Sequence, residues 1–293
     1  MKPKKKRLKY IAVLPAFVTM MNGACGFISI FLASRSRELR WSLFFNENIN
    51  VSSFTLAGYM IILAMIADML DGRLARLTRT TSSFGGQLDS LTDVISFGVA
   101  PAFLMLMQVE SYLDYLQFDN LKFAVLIERA IFFSAILYAM CAVVRLARFN
   151  VENEEDEPAH MNFAGLPSPA AAGVVVSFVI LHEYFLTGTG DTVVYDTFGV
   201  IIISALPLIT FAMSLLMVSR IRYPHLANQL LRGKKTLATL LFIFASGLLI
   251  VWNIHLALVF GFSGFMLFGF FRWVISPFTK RLPSKQKAAA PQQ

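Results

Sequence analysis

Cysteine is nearly absent from this 293-residue chain: there are two, Cys25 and Cys141, and neither belongs to a CxxC or Cys/His grouping. That excludes a disulfide scaffold and a thiolate zinc site, and both residues read as packing groups inside hydrophobic runs. Charge is scarce as well. Asp, Glu, Lys and Arg make up 15% of the residues against 56% hydrophobic, which excludes an ordinary soluble domain. The four histidines are dispersed, and His182-Glu183 lacks the second histidine of HExxH, so no histidine metal site is expected. The first hydrophobic run is too long for a cleavable signal peptide, and no AxA-type processing site follows it. A net charge of +8 suggests nucleic acid only where a soluble domain exists to carry the site. Here the cations flank apolar blocks, where they set topology and touch anionic headgroups.

What the chain has in quantity is apolar sequence in blocks long enough to cross a bilayer. The expected fold is an all-α integral membrane protein, a polytopic bundle of about eight transmembrane helices. The spans are Ile11–Ala33, Leu56–Leu77, Gly86–Met107, Ala124–Phe149, Pro167–Leu186, Thr197–Val218, Thr236–Trp252 and His255–Ile275. Residues 1–10 form a basic juxtamembrane segment, 11–276 the membrane domain, and 277–293 a low-complexity, disordered tail. The acidic run Glu152–Pro158 reads as a solvated loop. With the N-terminus inside, only Arg35, Arg37, Arg40, Lys122 and Arg129 of the 26 Lys and Arg fall outside, leaving 21 on the inner face. That asymmetry fixes the expected orientation.

The richest stretch is DMLDGRLARLTRTTSSFGGQLDSLTD, residues 68–93. It holds Asp68/Asp71 and Asp89/Asp93, spaced three and four apart, so each pair shares one helix face. One such pair alone reads as a helix end with solvated aspartates. Two pairs at the facing ends of neighbouring spans repel one another and lose hydration, an arrangement that a cation must neutralise. Hard oxygen ligands favour Mg²⁺ or Mn²⁺ over zinc. Glycine and alanine on the same faces leave room for a bulky ligand such as a diphosphate.

The pattern DGxxAR, eight residues, then GxxxDxxxD, with an aspartate three before the first, resembles the signature of the CDP-alcohol phosphotransferases, membrane enzymes of phospholipid synthesis. By position in that signature, Asp93 is the general base, and Asp68, Asp71 and Asp89 are metal ligands with Asp93 sharing. The resemblance implies two divalent ions, Mg²⁺ or Mn²⁺. Gly72, Ala75 and Gly85 correspond to positions where the cytidine nucleotide packs on bare backbone. Arg76 either pairs with a phosphate or braces the carboxylates.

Further segments are similar to the serine-transferring branch of that family. PAFVTMMNGACGF (Pro15–Phe27) matches its opening, with Ala16 where asparagine is common. VISFGVAPAF (Val94–Phe103), VVRLARFN (Val143–Asn150) and FAGLPSPAAAG (Phe163–Gly173) also match, so the resemblance covers most of residues 10–185. This branch implies CDP-diacylglycerol as donor, L-serine as acceptor and release of CMP. It also implies a homodimer among the lipids of the cell (inner) membrane, with its active site facing the cytoplasm.

Thr19 and Asn22, three apart on one helical face, either meet the cytidine or join helices. Arg145 and Arg148 either hold the serine carboxylate or the phosphoryl group through the planar guanidinium fork, or snorkel to headgroups. Ser96 lines the same pocket. Two rivals stand beside this reading. One is another branch of the family, a phosphatidylglycerophosphate or phosphatidylinositol-phosphate synthase. The other is a cation transporter, which would set its carboxylates near the midplane of broken helices.

Overall fold

An apolar run inside a bilayer must satisfy every backbone polar group internally, and helix formation is how a single segment does so. A computed structural model describes residues 7–35, 52–78, 83–113, 121–154, 165–187, 192–221, 223 and 251–279. The helices are α1 (Arg7–Ala33), α2 (Ser53–Thr78), α3 (Ser83–Asp93), α4 (Ala100–Leu113), α5 (Leu121–Glu154), α6 (Ser168–Thr187), α7 (Thr192–Val218) and α8 (Ile254–Thr279). A π-helical stretch, Val94–Val99, joins α3 to α4. No strand occurs among the described residues.

Seven described stretches are long and apolar enough to cross a membrane, and α3, the π stretch and α4 together make one of them, Phe84–Leu113. The protein is therefore multi-pass. The span expected at Thr236–Trp252 lies outside the described residues except for its last two; residues 1–6, the loop after Glu154 and residues 280–293 of the tail also lie outside them, while residues 277–279 of the expected tail close the last helix. The eighth expected span is α8. It begins sharply because Asn253 Oδ1 accepts hydrogen bonds from the backbone N–H of His255 at 3.0 Å and Leu256 at 3.2 Å, a side-chain N-cap.

Small residues decide how closely the helices approach. Ala57, Ala64 and Ala67 line the buried face of α2, and Ala171 and Ala172 that of α6. A Cβ on Gly58 would lie 2.8 Å from Ile180 Cγ1, which places α2 directly against α6. Among the described residues, Gly165 is the one glycine with a positive φ, 96°. Its N–H donates to Ile221 O at 2.8 Å, and Leu166 N–H donates to Leu216 O at 3.0 Å, tying the start of α6 to the end of α7. Large apolar side chains such as Phe17, Phe27, Phe133 and Leu208 stay exposed, as a lipid-facing surface requires. Among the described residues α8 packs against α6, with the Phe262 ring over Gly173.

At the end of the bundle away from the aspartates, α4 and α6 share a buried polar group. Gln108 Nε2 lies 2.8 Å from His182 Nδ1 and donates to Glu183 Oε1 at 3.0 Å. The Tyr112 ring stands edge-on to His182 at 6.0 Å.

Candidate functional site

The two aspartate pairs arrive on different helices: α2 carries Asp68 and Asp71 near its end, and α3 delivers Asp89 and Asp93. α1 lies across both. It can do so because Gly23 and Gly26 face the second pair, where a Cβ would come within 2.8 Å of Thr92 Cγ2 and 2.7 Å of Ser96 Cα. Any larger residue at Gly26 would push α1 off the backbone that follows Asp93.

Carboxylate oxygens of Asp68, Asp89 and Asp93 come within 4.8 Å of one another. Asp71 stands beside this trio rather than in it. Its carboxylate accepts a hydrogen bond from the Thr19 hydroxyl, and it remains close enough to Asp68 and Asp89 to interact through charge. Asn22 Nδ2 donates to Asp93 Oδ1 at 2.9 Å, and Ser96 Oγ donates to the Asn22 carbonyl at 2.9 Å. Thr19 and Asn22 thus each hold one aspartate from a different helix, so both make interhelical bonds. Asn22 Oδ1 is buried with no protein partner.

The backbone changes character immediately after Asp93. In the π stretch the turns widen, the kind of irregularity that proteins concentrate at functional sites. Ser96, Phe97 and Gly98 are buried there, and Tyr138 of α5 donates its hydroxyl to Phe97 O at 3.2 Å.

Asp71 and Asp93 are 6% and 8% exposed, so water screens their charge poorly. Among the described residues, Arg145 of α5 is the cation whose charge bears on Asp93. It is oriented by Ser168, whose Oγ accepts from Arg145 Nη1 at 2.7 Å. Reading the sequence missed Ser168, because its neighbours Pro167 and Pro169 explain the start of α6 unaided. The local sequence held no signal for it, since its partner Arg145 lies 23 residues away on another helix.

Arg148, one turn beyond Arg145, is exposed. Gly72 is exposed with open space around it, and Gly85 is half-buried. Ala75 and Arg76 occupy the last turns of α2, and their side chains lie outside the described residues.

The donor set suits a divalent cation. Three carboxylate oxygens converge, all ligands are hard, and among the described residues the negative charge of four aspartates exceeds what the Arg145 guanidinium offsets.

Residues 12–211 match the family model for CDP-alcohol phosphatidyltransferase. Among curated proteins, the chain is 34% identical to a Helicobacter pylori CDP-diacylglycerol–serine O-phosphatidyltransferase, over 80% of this chain and 86% of that one. It is 31% identical to the protein of the same name from Methanocaldococcus jannaschii, over 76% and 79% of the two chains. A Methanothermobacter thermautotrophicus archaetidylserine synthase is 32% identical, over 75% and 73%.

Proposed function

Because this chain belongs to the CDP-alcohol phosphatidyltransferase family, we propose that it transfers the phosphatidyl group of CDP-diacylglycerol to the hydroxyl of L-serine, yielding phosphatidylserine and CMP. The observation that carries the chemistry is the convergence of Asp68, Asp89 and Asp93 to within 4.8 Å at the junction of two membrane helices. The relatives named above, bacterial and archaeal, all bear names that specify serine, which supports the choice of acceptor.

In this reading Asp68, Asp71, Asp89 and Asp93 would hold two divalent ions, Mg²⁺ or Mn²⁺, and such ions would supply the positive charge that offsets an anionic diphosphate. Asp93 takes the proton of the serine hydroxyl. The serine oxygen bonds to the phosphatidyl phosphorus, the bond from that phosphorus to the CMP oxygen breaks, and CMP leaves with the electron pair. Asn22 fixes the Asp93 carboxylate so that its second oxygen faces the incoming hydroxyl. Thr19 holds the Asp71 carboxylate in place through its hydroxyl. Gly72, Ala75 and Gly85 bring bare backbone to the nucleotide, and Arg76 meets a phosphate.

Arg145 binds the serine carboxylate, for three reasons: it is half-buried, its charge bears on Asp93, and Ser168 leaves part of its guanidinium fork available. Ser96 acts behind that site, its hydroxyl donating to the Asn22 carbonyl. Arg148 draws anionic substrate toward it from the surface. The catalytic unit is the membrane domain 11–276, working as a homodimer. The 21 cations assigned to the inner face orient the aspartates toward the cytoplasm of the inner membrane, where nucleotide and serine are dissolved.

The test is CMP release by purified protein in detergent with CDP-diacylglycerol and Mn²⁺ or Mg²⁺. Release with serine, but not with glycerol 3-phosphate or inositol, and arrested by a chelator, is the expected result. Release with glycerol 3-phosphate alone would overturn the acceptor, and no release with any alcohol would overturn the reaction.

A further inference from the structure

Beyond Asp93 the chain leans on one stripe of α5. Tyr138, Ala142 and Arg145 are spaced four and three apart, so they share a face of that helix. Each bears on a different part of the rod that carries the aspartate. Tyr138, fully buried, donates its hydroxyl to Phe97 O at 3.2 Å. A Cβ on Gly98 would lie 3.2 Å from the Ala142 Cβ, so the π stretch rests almost directly on α5. Arg145, at the end of the stripe, lies close enough to Asp93 to interact with it through charge.

Local chemistry explains why a donor is needed where Tyr138 stands. In an α-helix Phe97 O would accept from the N–H of the residue four positions on. That residue is Pro101, which has no N–H to give. The ladder is already widened here, with Ala100 N–H donating to Ile95 O, five residues back. A buried carbonyl calls for a partner, and the tyrosine hydroxyl supplies one from a neighbouring helix. On its other side the stretch is held by α1, where Ser96 Oγ donates to the Asn22 carbonyl and Gly26 lets the two backbones approach.

We propose that Tyr138 is a positioning residue: by pinning Phe97 to α5 it sets the Asp93 carboxylate at the distance from Arg145 that one serine molecule spans. The inference rests on the phosphatidyl-transfer reading above, in which Arg145 holds the serine carboxylate and Asp93 takes the hydroxyl proton. Serine is a short acceptor, so a base and a guanidinium on different helices must keep a fixed register to grip both of its ends. The Tyr138 hydrogen bond and the Gly98–Ala142 contact tie α5 to the segment directly after Asp93. Tyr138 is fully buried, and it acts through the backbone rather than on substrate.

The test counts competent sites before it measures rate. Each variant is purified in detergent, its sites are titrated by Mn²⁺-dependent CDP binding in calorimetry, and CMP release with serine is expressed per site. Tyr138→Phe keeps the ring and removes the donor. Its kcat per site is expected to fall about tenfold, the scale on which small misplacements slow a reaction. KM for serine and for CDP-diacylglycerol should stay within about twofold of wild type, since neither binding group is altered. A purely structural role would lower the number of sites or the unfolding temperature and leave kcat per site unchanged, and that result overturns the proposal.

Gly98→Ala tests the same register with the hydrogen bond left intact, and it decides the matter should Tyr138→Phe fail to fold. The added methyl group presses on Ala142 and should lower kcat per site, while Gly98→Ala combined with Ala142→Gly makes room and should restore it. No fall in the single variant, or no recovery in the double one, overturns the proposal. A wild-type protein that releases no CMP with serine would refute the transfer reaction and the positioning with it. An active wild type with unaltered variants refutes the positioning alone.

Discussion

Asn22 and Asp93, 71 residues apart, are joined by a 2.9 Å hydrogen bond from the Asn22 amide to the Asp93 carboxylate. The bond links α1 to the one aspartate assigned a proton-transfer role, and it leaves Asp93 a second oxygen for substrate or metal. Because Ser96 in turn donates to the Asn22 carbonyl, the contact is fixed from both sides. Replacing Asn22 with Leu removes the donor and leaves a buried carboxylate underbonded. We expect kcat to fall roughly tenfold, the equivalent of about 1.4 kcal/mol in the transition state, with the protein still folded by circular dichroism. Unchanged kcat would show that Asp93 needs no positioning from α1.

Asp93→Asn keeps the shape of the side chain and removes its basicity. Turnover is expected to drop at least a hundredfold, within the range that general-base catalysis contributes. Nucleotide binding in the presence of Mn²⁺, followed by calorimetry, should survive largely intact. Asp89→Asn is expected to lose both, since it removes a charged ligand from the trio. If Asp93→Asn weakens binding as much as Asp89→Asn does, Asp93 acts as a ligand alone.

Arg145 and Ser168 make a graded pair. Arg145→Lys loses the planar fork while keeping the charge, so KM for serine should rise by about tenfold or more with a smaller change in kcat. Ser168→Ala leaves the arginine in place without its 2.7 Å partner and should show the same direction at smaller size. Both effects should spare KM for CDP-diacylglycerol. A rise confined to the donor's KM would mean that Arg145 serves the diphosphate.

The polar group at the other end of the bundle is expected to matter for stability alone. His182→Ala removes a partner of the fully buried Gln108, and an unsatisfied polar group of this kind costs about 1–3 kcal/mol. Thermal unfolding in detergent should shift downward while kcat/KM at a permissive temperature stays near wild type. Loss of activity without loss of stability would give this cluster a part in the reaction.

The aspartate site was legible because its information is local. Spacings of three and four fix which carboxylates share a helix face, and two hydrophobic runs fix where those faces end. Asp71 shows the limit of such reasoning. Its spacing from Asp68 gives the shared helix face, but its partner, the Thr19 hydroxyl, comes from another helix that no spacing specifies. Ser168 was invisible for a related reason, since a contact 23 residues away from Arg145 depends on how α5 and α6 lie together. The histidines were uninformative as a motif, yet His182 is fully buried. Burial in a helical bundle follows from neighbours that no periodicity in one helix specifies. The π stretch likewise left no mark in the composition, because Val94–Val99 reads as ordinary apolar helix.

That stretch has a consequence for how the two ends of the molecule are geared. A π turn accommodates one residue more than an α turn, and in an α-helix one residue corresponds to about 100° of rotation. Asp93 and Gln108 belong to one continuous rod, yet the widened turn between them lets each half keep its own azimuth. The half bearing Asp93 can aim at the ion site while the half bearing Gln108 docks on α6. Removing a single residue from the junction would force the two to compete for the same rotation, and only one of the two ends could then find its partners.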